Sequence, residues 1–149
     1  LLRGLVADGV VVRKELSDPY GGSRVFYWKR EKGESEFHQI LVGYVRSLIP
    51  DAKEGFRGSD LVFRHKKYGT IAIECETGLK SDDVIAKKFK EQIEKRLKWA
   101  NAVWVIVPSA TEKERFTRLL GDTTKTRPVE VLTLRGLKMK LKTKRRKRR

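Results

Sequence analysis

Residues 102–107 read Ala-Val-Trp-Val-Ile-Val and are closed by Pro108. Six apolar residues in unbroken succession, ended by a residue that cannot donate to a ladder, describe a strand buried on both faces. Such a strand needs a packed layer on each side, and its neighbours supply them. Residues 81–100, SDDVIAKKFKEQIEKRLKWA, carry Val84, Ile85, Phe89, Ile93 and Leu97 at helical spacing behind a Ser81 cap and two first-turn aspartates. TEKERFTRLLG (111–121) predicts a short helix ended by Gly121. Upstream, residues 35–49 predict a helix capped by Ser35, with Phe37, Ile40, Leu41, Tyr44, Val45 and Leu48 on one face and Pro50 at its end. Between these lie a short first strand within 53–56, a strand over 59–65, a turn at HKKYGT and a strand through Thr70–Glu76. PVEVLTL (128–134) predicts a last strand, LKMKLKTK an alternating extension turned back at Arg135-Gly136, and RRKRR disorder. The order from residue 35 is helix, strands, helix, strand, helix, strand. That order predicts an α/β (α+β) fold, a mixed sheet with helices packed against it.

The first thirty residues differ in character. LLRGLVADG is apolar at 1, 2, 5 and 6 and stops at Gly9, a helix C-terminal signal. VVVRKEL is β-branched, SDPYGGS is dense turn chemistry, and RVFYWKR is an aromatic second strand. A helix feeding a hairpin with a basic, Gly-rich tip resembles the second half of a winged-helix DNA-binding domain. By that resemblance residues 1–30 are a partial winged helix, with Arg3, Arg13, Lys14 and Arg24 as nucleic-acid contacts. The chain opens at Leu1 rather than Met, and the first helices of such a domain are expected upstream of it.

The chain holds 35 basic and 19 acidic residues, a net charge of +16. The charge is +3 over residues 1–30, +4 over 31–137, and +9 in the last twelve, KMKLKTKRRKRR. A nearly neutral centre with basic flanks points to an anionic polymer, because Lys and Arg displace counterions condensed on phosphates. DNA is the leading partner, with Lys144, Arg145 and Arg146 among its contacts. An anionic membrane surface comes second. The tail offers only Leu137, Met139 and Leu141, at strand spacing, against the broad apolar face a surface helix needs. A solubilising or targeting appendage is the plainer alternative. No apolar run approaches the roughly 18 residues that cross a bilayer, and the opening lacks signal-peptide features. One cysteine, Cys75, and two histidines, His38 and His65, argue against a disulfide framework, a cysteine-zinc cluster or a multi-histidine metal site.

The stretch that carries chemistry is GSDLVFRHKKYGTIAIECETG. Along Thr70–Glu76 the side chains alternate, so Ala72, Glu74 and Glu76 share one face, and Ile71, Ile73 and Cys75 the other. A hairpin across HKKYG brings Asp60 toward the two glutamates, and Glu36 stands at the start of a helix packing on the same sheet. Like charges at the end of an apolar strand are costly without a compensating cation. Three converging carboxylates suit Mg²⁺ or Mn²⁺. An exposed sheet edge, salt-bridged to nearby lysines, is the alternative.

Asp60 at a strand start, Glu74 fourteen residues on, a polar residue two further, and a preceding helix with Glu36 resemble the PD-(D/E)xK nuclease superfamily. That resemblance implies a restriction endonuclease-like αβββαβ core over residues 31–136, followed by a basic tail, 137–149. It implies Asp60 and Glu74 as the Mg²⁺ (or Mn²⁺) ligand pair, Glu36 as the helix glutamate, and hydrolysis of DNA phosphodiesters; Glu76, on the same strand face, is the third candidate ligand. A homodimer is the arrangement with which such nucleases cut duplexes. Glu76 stands where the motif has lysine. Lys88, on the stripe Ser81–Ile85–Lys88–Gln92, is the first candidate to replace it, and Lys80 the second. The run Glu-Cys-Glu-Thr-Gly, with His38 in the first helix and a wing ahead of the core, is similar to replication-relaxation type proteins of plasmids and mobile elements. A cytoplasmic setting in a prokaryote or virus follows from that likeness. Two readings stay open: a Mg²⁺-dependent endonuclease, or a catalytically inactive nuclease-fold replication factor or transcription regulator.

Overall fold

A computed structural model describes residues 11–29 and 33–146. The helix expected over 1–9, and Arg3 with it, lies outside the described residues. Strands β1 (Val11–Ser17) and β2 (Ser23–Lys29) form the expected antiparallel hairpin, pairing Val11 with Lys29 and Ser17 with Ser23. The hairpin is seated on the rest of the protein. Leu16 is fully buried in the main core, and the Ser17 N–H donates to the Pro108 carbonyl at 2.8 Å.

Helix α1 (Gly33–Leu48) starts two residues ahead of the expected Ser35 cap. The main sheet has five strands in chain order: β3 (Lys53–Glu54), β4 (Leu61–His65), β5 (Gly69–Cys75), β6 (Ala102–Ile106) and β7 (Val129–Leu132). β3, β4 and β5 pair antiparallel; β5, β6 and β7 pair parallel. Tight turns serve the first group, and helical crossovers serve the second. Helix α2 opens at Asp82–Val84, passes through a π-helical stretch, Ile85–Phe89, and continues as Lys90–Leu97. The Ser81 hydroxyl accepts from the Val84 N–H at 3.3 Å, the cap read from the sequence. Helix α3 (Ala110–Leu120) follows β6, and a short α4 (Thr123–Thr126), not expected, leads into β7.

Three layers result. β6 turns Ala102, Trp104 and Ile106 to one face, where Phe37, Leu41 and Val45 of α1 meet Leu61, Ile71 and Ile73. It turns Val103 and Val105 to the other, where Ile85, Phe89 and Ile93 of α2 meet Phe116 and Leu120 of α3. The unbroken apolar run is thus a central strand covered twice.

The C-terminal segment departs from the expectation. Residues Leu134–Arg146 form a helix, α5, where an alternating extension and disorder were expected. Thr133 starts it: its hydroxyl accepts from the Gly136 N–H at 3.1 Å and its carbonyl from the Leu137 N–H at 2.9 Å. The alternation of Leu137, Met139 and Leu141 is incidental. The stripe in use is Leu134, Leu137 and Leu141, at helical spacing, and it joins the α1 layer while Met139 stays 56% exposed. The basic tail of 137–149 is therefore helical as far as residue 146 and packs on the core through Leu137 and Leu141. β3 also stops at Glu54, short of the expected 56, where Gly55 at φ 68 turns the chain into a single 3₁₀ turn, Phe56–Gly58.

Candidate active site

The register of the hairpin assembles the acids. β4 and β5 pair Leu61 with Ile73, so Asp60, one residue before, stands opposite Glu74. Glu74 points to the face that Ala72 occupies, because side chains alternate; Asp60, just ahead of β4, turns its carboxylate to the strand end, within reach of His38 on α1. The Asp60 N–H reaches Glu74 Oε2 at 3.4 Å, and Asp60 Oδ2 accepts from the Cys75 N–H at 2.8 Å. Glu76, two residues past Glu74, extends the β5 ladder by donating its N–H to the Ile106 carbonyl at 2.9 Å. Glu74 is 1% exposed and Glu76 7%, buried for carboxylates. Cys75 faces the opposite core, and burial pushes its thiol well up.

Each acid has cationic or amide partners. Glu74 Oε1 accepts from Gln92 Nε2 at 2.7 Å and lies 3.4 Å from Arg96 Nε. Glu76 is held by Lys80 Nζ, at 2.9 Å from Oε1 and 3.2 Å from Oε2. Asp60 Oδ1 lies 3.1 Å from His38 Nε2. Burial, then the neighbouring Asp60 charge, push Glu74 up to about 7, against the pull of Arg96 and Gln92. Burial also raises Glu76, while Lys80 opposes the shift. The hydrogen bond to Asp60 raises His38. An open cleft of about 520 Å³ runs from Asp60 and His38 to Arg46 and Glu54; Asp60 borders it, while Glu74 and Glu76 lie buried behind.

Two expected participants are placed elsewhere. Glu36 is exposed and makes none of the contacts that tie the acids together; His38 is the α1 residue that reaches them. Residues two apart on a helix point to nearly opposite sides, so one excludes the other. Lys88 is exposed as well. It lies in the π-helical stretch, where each residue advances less around the axis than α spacing assumes, so the stripe through Ile85 and Gln92 passes it by. Lys80, in the loop before α2, is the lysine at the site. Gln92 and Arg96, not expected as partners, lie four apart on one stripe of α2 and so reach Glu74 together.

The loop bearing Lys80 is fixed from α3. Arg115 donates to the carbonyls of Gly78 and Lys80 and pairs with Asp82 at 2.8 Å and Glu112 at 3.2 Å.

Asp60 and Glu74 are the carboxylates that fit a hard divalent cation. They stand together, crowd each other's charge, and match the one or two carboxylates with which water-rich Mg²⁺ is held. Glu76 differs in that a cation, Lys80, engages both its oxygens; Glu74 has Gln92 and the Asp60 N–H on its two, and Asp60 has His38 and the Cys75 N–H. Among the described residues no three Asp, Glu, His or Cys side chains form a ready cage.

Of the expected nucleic-acid contacts, Arg13 is exposed and Arg24 pairs with Asp18 at 3.3 Å while staying 64% exposed. The side chains of Lys14, Lys144, Arg145 and Arg146 lie outside the described set. On α5, Lys138 sits 3.8 Å from the Tyr20 ring centroid at the hairpin tip, and Lys140 pairs with Glu130 at 2.6 Å. The hairpin tip and the basic helix are thereby joined in one surface. Among the described residues no helix is long and apolar enough to cross a membrane. Comparison with family models and with curated proteins finds no significant match to this chain.

Proposed function

We propose that the protein is a DNA nuclease that hydrolyses phosphodiester bonds with Mg²⁺ or Mn²⁺, built on a PD-(D/E)xK core. The observation that carries this reading is the buried Asp60–Glu74 pair on facing strands, with Lys80 brought to Glu76 beside it. The order α1, β3, β4, β5, α2, β6 supports it, since it follows the αβββαβ order of that superfamily. Asp60 and Glu74 would hold the cation, which supplies charge against the phosphate in the transition state and a lowered pKa for water. Gln92 and Arg96 fix the orientation of the Glu74 carboxylate. Lys80 stands in for the motif lysine: Glu76 holds its ammonium beside the acids, where it offsets charge on the phosphate. The exposed arginines of the hairpin and the lysines of α5 hold the DNA backbone, a salt-dependent and sequence-independent contact.

The test is incubation with supercoiled, branched and single-stranded DNA, with and without Mn²⁺. Cutting that needs the metal, and that Asp60→Ala and Glu74→Ala abolish while DNA binding survives, is the expected result. Metal-dependent cutting by both variants would refute it. A second reading, an inactive core in a DNA-binding replication factor or regulator, draws on the partners already engaging each acid. Strong DNA binding with no nicking under any metal would favour it.

A further inference from the structure

Next to the acids, the chain makes a turn that solvent exposure and strain set apart. Gly55, Arg57 and Gly58 have φ of 68°, 47° and 85°, so three of four successive residues are left-handed and Arg57 is not glycine. The turn presents Phe56, 47% exposed, propped from behind by Trp99 at a ring-centroid distance of 5.1 Å, edge to face. The Arg57 guanidinium lies 5.4 Å from the Phe56 ring centroid. Buried groups hold the turn in place. Arg96 donates to the carbonyls of Arg57, at 3.3 Å, and Gly58, at 2.9 Å, and the Ser59 hydroxyl donates to the Phe56 carbonyl at 3.0 Å. Arg96 is the residue that also faces Glu74. Its Nε, buried and 3.4 Å from that carboxylate, makes no hydrogen bond.

Phe56 is one wall of a cleft of about 490 Å³, whose other walls include Val62, Phe63, Lys53, Arg64 and Asp51. That volume lies within the range of small-ligand sites, about 300–1,000 Å³. This cleft is separate from the one at Asp60 and His38; Arg96, which holds both the turn and the Glu74 carboxylate, sets it beside that acid. An aromatic face, an aliphatic wall and two cations, Lys53 and Arg64, against the single carboxylate of Asp51, match the parts of a nucleotide: a flat base to stack and a phosphate to neutralise.

We infer that the Gly55–Gly58 turn and this cleft receive one unpaired nucleobase, stacked on Phe56, next to the phosphate at the acids. The substrate class is then DNA with an unstacked base, single-stranded or branched, in preference to continuous duplex. A paired base is held inside its stack and cannot present its face to a side wall. The inference rests on the nuclease reading for the phosphate's position, and binding tests it separately from cutting.

The experiment measures binding of labelled oligonucleotides in EDTA, where nothing is cut: a single strand carrying 2-aminopurine, and the matching full duplex. Phe56→Ala should weaken single-strand binding about ten-fold or more, on the scale of one lost stacking contact. It should leave duplex binding within about two-fold and remove the quenching of 2-aminopurine, while Phe56→Tyr restores both. Equal loss on the two DNAs, no loss on either, failure of Phe56→Tyr to rescue, or no binding of single strands by the unaltered protein would overturn the inference. A selective Phe56→Ala defect in a protein that never cuts DNA with Mn²⁺ would uphold the base site and remove the nuclease. Metal-dependent cutting with no selective defect would do the reverse.

Discussion

Replacing Glu74 by glutamine isolates the cost of ionising this carboxyl from everything else the side chain does. Burial and Asp60 push Glu74 up to about 7 from the ordinary 4.5. Between those values the folded protein holds a proton that the unfolded chain has released, so stability falls as pH rises through that window. The whole gap corresponds to about 3 kcal/mol, most of which falls between about pH 5 and about pH 8. Glutamine keeps the length and can still accept from Gln92, but it has no charge to bury. Glu74 gives Arg96 a counter-charge only when ionised, and that pull is already contained in the rise to about 7. The assay is urea denaturation of both proteins in EDTA at the two pH values. The stability difference should move by roughly 2–3 kcal/mol in favour of Glu74→Gln on going to the higher pH, with unchanged denaturant slopes. A difference that stays flat, or moves toward the unaltered protein, would refute the claim that this carboxyl is held against its ionisation.

Other outcomes follow from the same geometry. Lys80→Ala should lower metal-dependent cutting by about a hundred-fold or more, as loss of a transition-state charge partner does, with DNA affinity nearly unchanged; Lys88→Ala should be indistinguishable from the unaltered protein in the same assay. Gly78→Ala places a Cβ 2.5 Å from the Glu112 carboxylate at a backbone φ of +86. It should destabilise by about 1–2 kcal/mol from the left-handed backbone alone, read by denaturation, and slow cutting through the displaced Lys80 loop. Leu137→Ala should cost about 2–5 kcal/mol, the range for deleting a buried leucine side chain; a loss under about 0.5 kcal/mol, the scale of a surface change, would mean that α5 is a loose appendage. If both strands of a duplex are cut in one event, the rate should rise with protein concentration faster than linearly, the signature of a homodimer.

Where the sequence was legible, one physical signal dominated the local structure. The run Ala102–Val107 could only be a covered central strand, and the stripe of Phe37, Leu41 and Val45 could only be an apolar helix face. The alternation through Glu74 and Glu76 placed both acids on one face, and a short turn forced Asp60 across from them. Legibility failed where two periods competed or where a partner lay far along the chain. KMKLKTK alternates, yet Leu134, Leu137 and Leu141 also sit at helical spacing, and burial against α1 chose the helix. The π-helical stretch Ile85–Phe89 changed the phase that had favoured Lys88, and nothing in local spacing announced it. Arg96 reads locally as one more solvated charge. Only the tertiary fold brings it to Glu74 and to the carbonyls of Arg57 and Gly58.

The most direct test of the account is a Mn²⁺ titration at about pH 8, followed by electron paramagnetic resonance of the free ion. The account predicts that the unaltered protein takes up Mn²⁺ at a saturable site, and that Asp60→Asn and Glu74→Gln, both folded, each lose it. Uptake that survives in both variants, or none by the unaltered protein, would contradict the assignment of these two carboxylates as the cation site.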